Sequence, residues 1–230
     1  NLRDENEVIK NYIKVQETIN QKEKLQFLKT HSYLFNIDNK PFTNLNNTLG
    51  VIYIVRDPRN VVTSYAHHSG ISLELSARSM IELYKYKGDL TSRNSERTTL
   101  YMGTWSGNYN SWKSLKDPGR YLLIKYEDLI NNKDLTFRKV IKFLCMLKGI
   151  KFKIDQAKFR NVIETTEFKK MQKLEQEKGF REAKTDPKTG EKIPFFNLGA
   201  ENDWKKTLDP EIKAKIEENF KKEMKELGYL

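Results

Sequence analysis

The sequence predicts an α/β fold in which a doubly wound parallel sheet is flanked by helices. The first observation is the unbroken β-branched and aromatic run Val51–Val55, which is typical of a strand buried on both faces of a parallel sheet. The second is a similar run over residues 121–126. The third is the alternation of these strands with segments of helical periodicity, the order expected of a parallel doubly wound sheet.

The first half of the chain predicts four further elements around Val51–Val55. Apolar residues at a spacing close to 3.6 indicate amphipathic helices, and a short apolar run indicates a strand. Asp57 is a candidate helix cap and Pro58 fits a first helical turn, while Ser72 is a second candidate cap. The predicted elements are a helix over residues 7–22, a strand over 25–29, a helix from 59 to about 68 and a helix over 72–86.

The second half predicts mostly helices after the strand over residues 121–126. They are expected near residues 135–147, 156–165, 168–176 and 210–227. Residues 181–194 form a turn-rich loop with Asp186-Pro187-Lys188-Thr189-Gly190 at its centre. Neither an internal repeat nor a shift in composition divides the chain. We therefore expect one domain over residues 1–230.

Composition and charge exclude several classes of protein. A hydrophobic fraction of 37% lies above the disordered class, and no run of ~18 apolar residues predicts a membrane span. The single cysteine, Cys145, lies in an apolar-periodic stretch and favours a reducing cytoplasm. A net charge of +11 indicates anionic ligands, which include nucleic acid, acidic lipid or a polyphosphorylated small molecule. The chain has no aromatic-basic repeats, so we expect no nucleic-acid partner.

Ligands of such a sheet bind beyond the carboxyl ends of the strands. Arg56 stands there, next to the predicted start of a helix, and Ser64 follows two helical turns later. A guanidinium fork, a hydroxyl and unpaired helix N–H groups together suit an oxyanion. The alternative is that Arg56 pairs with Asp57 or Asp128.

His31 and Lys29 follow the predicted strand over residues 25–29. Free imidazole has a pKa near ~6.5 and accepts a proton from a hydroxyl at neutral pH, while an ammonium stabilises growing negative charge. This pair fits group transfer between oxygens, although a lone histidine is more often structural. His67 and His68 are adjacent on a predicted helix and point apart, so no metal site is predicted.

Two of these segments resemble motifs of the sulfotransferases that use 3′-phosphoadenosine 5′-phosphosulfate (PAPS). Residues 51–65 are similar to the family's 3′-phosphate-binding segment, which implies that Arg56 and Ser64 hold that phosphate. Lys29-Thr30-His31 resembles the family's Lys-Thr-His element. The resemblance implies that His31 is the general base for the acceptor and that Lys29 assists at the sulfuryl group.

Three later segments extend the resemblance in the family's order. The first two imply that Tyr126 contacts the adenine and that Thr166 and Phe168 flank it; they read Leu123-Ile124-Lys125-Tyr126-Glu127-Asp128-Leu129 and Thr166-Glu167-Phe168-Lys169-Lys170-Met171. Asp203-Trp204-Lys205 matches a C-terminal signature. Asn197, Leu198 and Gly199 stand where many eukaryotic members carry Arg-Lys-Gly against the 3′-phosphate, so an amide and backbone N–H groups replace two cations. The style of these motifs resembles bacterial members.

The resemblance implies a sulfotransferase fold of the P-loop NTPase-like type, PAPS as donor and adenosine 3′,5′-bisphosphate (PAP) as product. The acceptor would be a hydroxyl or amine of a small molecule or glycan, and acceptor pockets in this fold are built from variable loops. The family's Gly-containing loop for the 5′-phosphosulfate precedes every recognised motif, and the sequence contains no such loop. We therefore expect a domain that is incomplete at its N-terminus. The alternative is a non-catalytic PAP-binding or scaffold protein of the same fold.

Overall fold

The computed structural model describes residues 4–21, 24–82, 85–89, 97–115, 119–186 and 189–230. Its helices are α1 Glu5–Asn20, α2 Pro58–Ser69, α3 Leu73–Ile81, α4 Trp105–Lys113, α5 Tyr126–Asn131, α6 Lys133–Leu147, α7 Gln156–Thr165, α8 Phe168–Lys178, α9 Trp204–Thr207, α10 Pro210–Asn219 and α11 Lys221–Glu226, with a 3-10 turn at Gly199–Glu201. Its strands are β1 Asn36–Ile37, β2 Lys40–Pro41, β3 Val51–Val55, β4 Lys85–Asp89, β5 Arg97–Tyr101, β6 Tyr121–Lys125, β7 Lys184–Thr185 and β8 Lys192–Ile193. Within these ranges no helix combines the length and the apolarity needed to span a bilayer.

The two strands predicted most strongly from the sequence, β3 and β6, pair with each other. The backbone N–H of Val51 donates to the carbonyl of Arg120 at 2.8 Å where both strands begin. Where both strands have ended, the N–H of Asp57 donates to the side chain of Glu127 at 3.2 Å. The strands therefore run parallel, and the residues that follow them lie at one edge, as the sequence predicted.

The chain divides into two compact units, residues 1–53 with 79–122 and residues 54–78 with 123–230. The first unit has an aromatic core around Phe35, which is 2% exposed and packs on Ile9 and Tyr101. The Phe35 ring lies 4.9 Å from that of Tyr101, centroid to centroid. Buried Trp112 donates its indole N–H to the carbonyl of Ser32 at 2.9 Å, which ties α4 to the loop that carries residues 29–32.

The second unit is built around α2, which packs against α9 and α10. Its core residues Val62, Ile216 and Met224 are fully buried. The sequence signals at the start of α2 act as predicted: the Asp57 carboxylate accepts a hydrogen bond from the N–H of Arg59 at 3.0 Å, and proline occupies the first turn. This cap fixes the point at which the chain turns from β3 into the helix.

The predicted strand over residues 25–29 is wrong. These residues form no strand, and Phe27 and Leu28 are 69% and 67% exposed. A short apolar run becomes a strand only when its backbone finds a pairing partner, and no described residue pairs with this one. Lys29 and His31 therefore lie on a loop and not at the end of a strand.

Two predicted helix boundaries are also wrong. The helix predicted over residues 72–86 ends at Ile81, because residues 85–89 instead pair with Arg97–Tyr101 as an antiparallel hairpin. Residues 83 and 84 of that prediction lie outside the described residues. The helix predicted over 210–227 breaks at Phe220, whose φ of −113° and ψ of 15° leave the helical region. The loop over 181–194 contains the small hairpin of β7 and β8; residues 187 and 188 of its predicted turn are not described.

Candidate functional site

Arg56 and Asp57 follow β3 directly and precede the first turn of α2. The buried Asp57 carboxylate accepts a forked pair of hydrogen bonds from Arg59, Nε to Oδ1 at 3.0 Å and Nη2 to Oδ2 at 2.7 Å. Such a fork is one of the stronger pairings open to a carboxylate. Arg59 also donates to Glu217 Oε1 at 2.6 Å. The charge of Asp57 is therefore balanced by Arg59, and Arg56 takes no part in that pair.

The guanidinium of Arg56 is a half-buried cation with an unsatisfied donor. It lies 4.3 Å above the ring centroid of Tyr126, and its Nη2 donates to the carbonyl of Gly199 at 3.0 Å. Its Nε is buried without a hydrogen-bond partner, and none of the described carboxylates forms an ion pair with it. Burial lowers the pKa of this group against the opposing effects of Tyr126 and Glu127, yet a guanidinium stays charged. An anionic ligand would satisfy both the charge and the orphaned N–H.

The predicted nucleotide-binding residues all line one cavity of about 1290 Å³ in the second unit. This volume exceeds the ~300–1,000 Å³ of a typical small-molecule site, so a nucleotide fits within part of it. The cavity walls come from α2, from α5 and α6, from the start of α8 and from the loop before the 3-10 turn. The predicted residues brought together there are Arg56, Ser64, Tyr126, Thr166, Phe168, Asn197, Leu198 and Gly199. Their roles toward a ligand stay predictions.

Gly199 packs closely against the ring of Phe168 in this cavity wall. Gly199 has a φ of +54°, in the left-handed region that favours glycine. A Cβ built on it would lie 2.6 Å from the ring carbon Cζ of Phe168, closer than real atoms approach. The absence of a side chain therefore lets the loop close against the aromatic ring and places the Gly199 carbonyl against Arg56.

Ser64 and Thr166 present hydroxyl groups of different availability. Ser64 is exposed within the cavity lining, and its hydroxyl makes no hydrogen bond to any described residue. The Thr166 hydroxyl donates to the carbonyl of Val162 at 2.6 Å, in the last turn of α7. Ser64 is thus free to donate to a ligand, whereas Thr166 offers its lone pairs and its methyl group.

The Asp203-Trp204-Lys205 segment packs against Arg59, close to the turn that carries Arg56. The Asp203 carboxylate accepts from the N–H of Lys205 at 3.1 Å and caps α9. The Trp204 ring then lies 4.1 Å from the guanidinium carbon of Arg59. Through Arg59 this segment braces Asp57, which precedes α2, and it does not line the cavity.

Lys29 and His31 lie in the first unit, whereas the predicted nucleotide residues lie in the second. Both side chains are exposed. The loop that carries them is fixed through its backbone: the amide of Asn108 donates to the carbonyl of His31 at 3.1 Å, and the hydroxyl of Tyr53 donates to Asn108 Oδ1 at 3.0 Å. The His31 side chain is thus presented from a restrained backbone.

The other two histidines belong to the cavity of the second unit. His67 Nε2 lies 3.2 Å from the carbonyl of Pro194, and the His68 ring packs edge-on against Phe195 at 5.6 Å. Both contacts hold the end of α2 against the loop after β8. The part of the chain that the structure describes contains no group of three or more His, Cys, Asp and Glu side chains placed to hold a metal ion.

Lys133 is a cavity residue that sequence reasoning missed. Its ammonium donates to the carbonyl of Ile163 at 2.9 Å, and burial lowers its pKa against the opposing effect of Glu167. Tyr126 and Ile130 lie on α5 and Lys133 begins α6, and all three line the same cavity. No spacing pattern in the sequence marks Lys133, because the helical repeat is interrupted at Asn132.

Comparison with known proteins gives a consistent result. Residues 4–228 match a family model described as a sulfotransferase domain. The chain is 24% identical over 215 residues to sulfotransferase 1A1 of Rattus norvegicus, covering 93% of this chain and 67% of that protein. It is 23% identical over 193 residues to cytosolic sulfotransferase 16 of Arabidopsis thaliana, covering 83% and 55%. The chain therefore spans between about half and two thirds of the length of these relatives.

A solved structure shares the fold. The crystal structure of mouse sulfotransferase SULT7A1 complexed with PAP matches with a TM-score of 0.56 at 17% identity, over 91% of this chain and 71% of that one. At this identity the likeness concerns the fold. It confirms the predicted class, an α/β fold with parallel strands and flanking helices.

Proposed function

The chain belongs to the sulfotransferase domain family, and from this premise we propose that it transfers a sulfuryl group from PAPS to a hydroxyl or amine of a small-molecule or glycan acceptor, releasing PAP. The observation that carries the proposal is the cavity of the second unit. There a cation with no ion-pair partner among the described residues, Arg56, lies among the residues that the family resemblance assigns to the nucleotide. A nucleotide with a 3′-phosphate supplies the charge that this arrangement lacks.

The chemistry of the cavity residues fits such a nucleotide. Arg56 and Ser64 supply a forked cation and a free hydroxyl donor for the 3′-phosphate. Tyr126 and Phe168 offer aromatic surfaces for a purine ring, beside the methyl group of Thr166. The mouse protein of the same fold was solved with PAP, which supports this ligand. When bound, PAPS supplies an activated sulfuryl group.

The reaction also needs a group that accepts the proton of the nucleophile. His31 fulfils this role in the proposal: its imidazole removes the proton from the acceptor oxygen or nitrogen as that atom bonds to sulfur. Lys29, two residues earlier, offsets negative charge that develops nearby. The Asn108 contact to the His31 carbonyl supports the assignment, because a general base must be held within hydrogen-bond reach of its substrate.

Calorimetric titration with PAP, together with transfer of radiolabelled sulfuryl from PAPS to phenol, alcohol, amine and sugar acceptors, tests the proposal. We expect PAP to bind, and we expect one acceptor class to be labelled by a protein that also carries the family's 5′-phosphosulfate loop, which this sequence does not contain. Binding without labelling of any acceptor would favour the non-catalytic alternative. A chain that binds neither PAP nor PAPS would overturn the proposed function.

Replacing Gly199 by alanine is expected to weaken PAP binding about tenfold, or about 1.4 kcal/mol, because the added methyl group displaces the Phe168 ring and the loop. Gly149→Ala is a matched control. Gly149 also has a left-handed φ, +63°, but a Cβ there meets nothing within 4 Å, and the residue is not among those lining the cavity. Both variants should lose similar stability from backbone strain, of about 1–2 kcal/mol. Equal PAP affinity in the two variants would contradict the close-contact role of Gly199.

A further inference from the structure

The loop over residues 195–199, which forms one wall of the cavity, is fastened to α8 by two side chains. The carboxylate of Glu175 accepts from the N–H of Phe195 at 2.7 Å through Oε1 and from the N–H of Phe196 at 2.9 Å through Oε2. One turn earlier on the same helix face, the amide of Gln172 donates to the carbonyl of Phe196 at 2.9 Å and to that of Asn197 at 2.7 Å. Three consecutive residues of the loop thus have their backbone fixed by one helix.

The far end of the loop is fastened to the second unit by different residues. The carbonyl of Gly199 accepts from Arg56, and the amide of Asn202 donates to the carbonyl of Asn60 at 2.9 Å. The hydroxyl of Thr63 donates to Oδ1 of the same Asn202 side chain at 2.8 Å. The loop is therefore held at both ends, by α8 before Leu198 and by α2 after Gly199.

Between these two anchors, residues 197–199 face a ligand with polar groups but with no charged side chain. Asn197 and Leu198 carry no ionic group, and the backbone N–H groups of Leu198 and Gly199 make no hydrogen bond to any described residue. A neutral N–H acts on an anion only at short range and in a favourable direction. The contribution of such an N–H to phosphate binding thus depends on how accurately the backbone is held. A long charged side chain would not need the backbone to be held so accurately.

We propose that Gln172 and Glu175 are positioning residues that hold the backbone of residues 197–199 in the conformation that receives the nucleotide's 3′-phosphate. The inference rests on the proposed function and adds two residues that do not touch the ligand. Glu175 is an acceptor for two N–H groups, and glutamine at this position keeps one acceptor oxygen and places an NH2 group against the second N–H. Glu175→Gln therefore releases one of the two fastened amides while preserving size and shape.

Glu177→Gln is the matched control, because Glu177 lies on the same helix, loses the same charge, and pairs with Lys173 at 3.7 Å instead of with the loop. Titration with PAP should give a dissociation constant about 3- to 10-fold higher for Glu175→Gln and unchanged for Glu177→Gln, the size expected for one lost polar contact. Gln172→Leu, which removes both donors from the Phe196 and Asn197 carbonyls, should weaken PAP at least as much.

Two further readouts separate positioning from general stability. Adenosine 5′-monophosphate, which lacks the 3′-phosphate, should bind Glu175→Gln and the wild type equally within about twofold. Hydrogen exchange in the free protein should become faster in this variant at whichever of Phe195 and Phe196 loses its acceptor, and nowhere else in the cavity wall. Equal loss of affinity for both nucleotides, or unchanged PAP affinity in Glu175→Gln and Gln172→Leu, would overturn the positioning role alone. A wild-type chain that does not bind PAP would instead overturn the proposed function, and this role with it.

Discussion

Replacing His31 by alanine is expected to lower the rate of sulfuryl transfer by about 10²- to 10⁴-fold, the usual effect of removing a general base. The affinity for PAP should stay within about twofold of the wild type, because His31 acts on the acceptor and the nucleotide residues belong to the other unit. The fold should also persist, since the side chain is exposed and the contact from Asn108 reaches the backbone carbonyl, which alanine retains.

Paired measurements of turnover and of PAP titration on the same preparation check this expectation. His31→Gln serves as a second variant, because an amide keeps hydrogen-bonding capacity but does not accept the proton. Its rate should fall as far as that of the alanine variant. Activity near the wild-type rate in either variant would remove His31 from the role of general base.

Replacing Arg56 by alanine is expected to weaken PAP by about 2–5 kcal/mol, or about 30- to 5,000-fold, which is the range for truncating one partner of a buried charged pair. The reason lies in the surroundings of Arg56. Its Nε has no partner among the described residues, and the neighbouring cation of the turn, Arg59, is already paired with Asp57 and Glu217 and so does not replace it. The PAP affinity of Arg56→Lys should lie between that of the wild type and that of Arg56→Ala, because lysine keeps the positive charge but lacks the forked pair of donors.

Adenosine 5′-phosphosulfate provides the control for Arg56→Ala, because it lacks the 3′-phosphate. Its affinity should change much less than that of PAP. Calorimetry with both nucleotides on the wild type and the two variants gives the comparison. An equal loss of affinity for the two nucleotides would assign Arg56 to the loop contact with Gly199 and not to the phosphate.

The sequence predicted those parts of the fold whose signals are local. The strand Val51–Val55 has the predicted bounds, and the α2 start follows from the Asp57 cap and Pro58, which act over two or three residues. Arg56 and Tyr126 line one cavity because each directly follows one of two parallel strands, whose ends share an edge of the sheet.

The rest depended on pairing between distant segments. Residues 25–29 have the composition of a strand but lie exposed without a partner strand among the described residues. The predicted helix over 72–86 ends early because β4 pairs with β5, a competition that helical periodicity does not reveal. The contacts of Gln172 and Glu175 with the loop join residues 20 to 25 positions apart, and no pattern within α8 distinguishes them from its other polar residues.

The pairing of Arg59 with the carbonyl of Tyr229 spans 170 residues, and that of Arg56 with Gly199 spans 143. A ribosome adds about 5–20 residues per second, so Tyr229 is synthesised about 9 to 34 s after Arg59. During that interval the β3–α2 turn exists without the segments that enclose it. The nucleotide cavity is therefore expected to be among the last parts of the second unit to form during translation, so nascent chains that have not yet extended past Gly199 should not bind PAP.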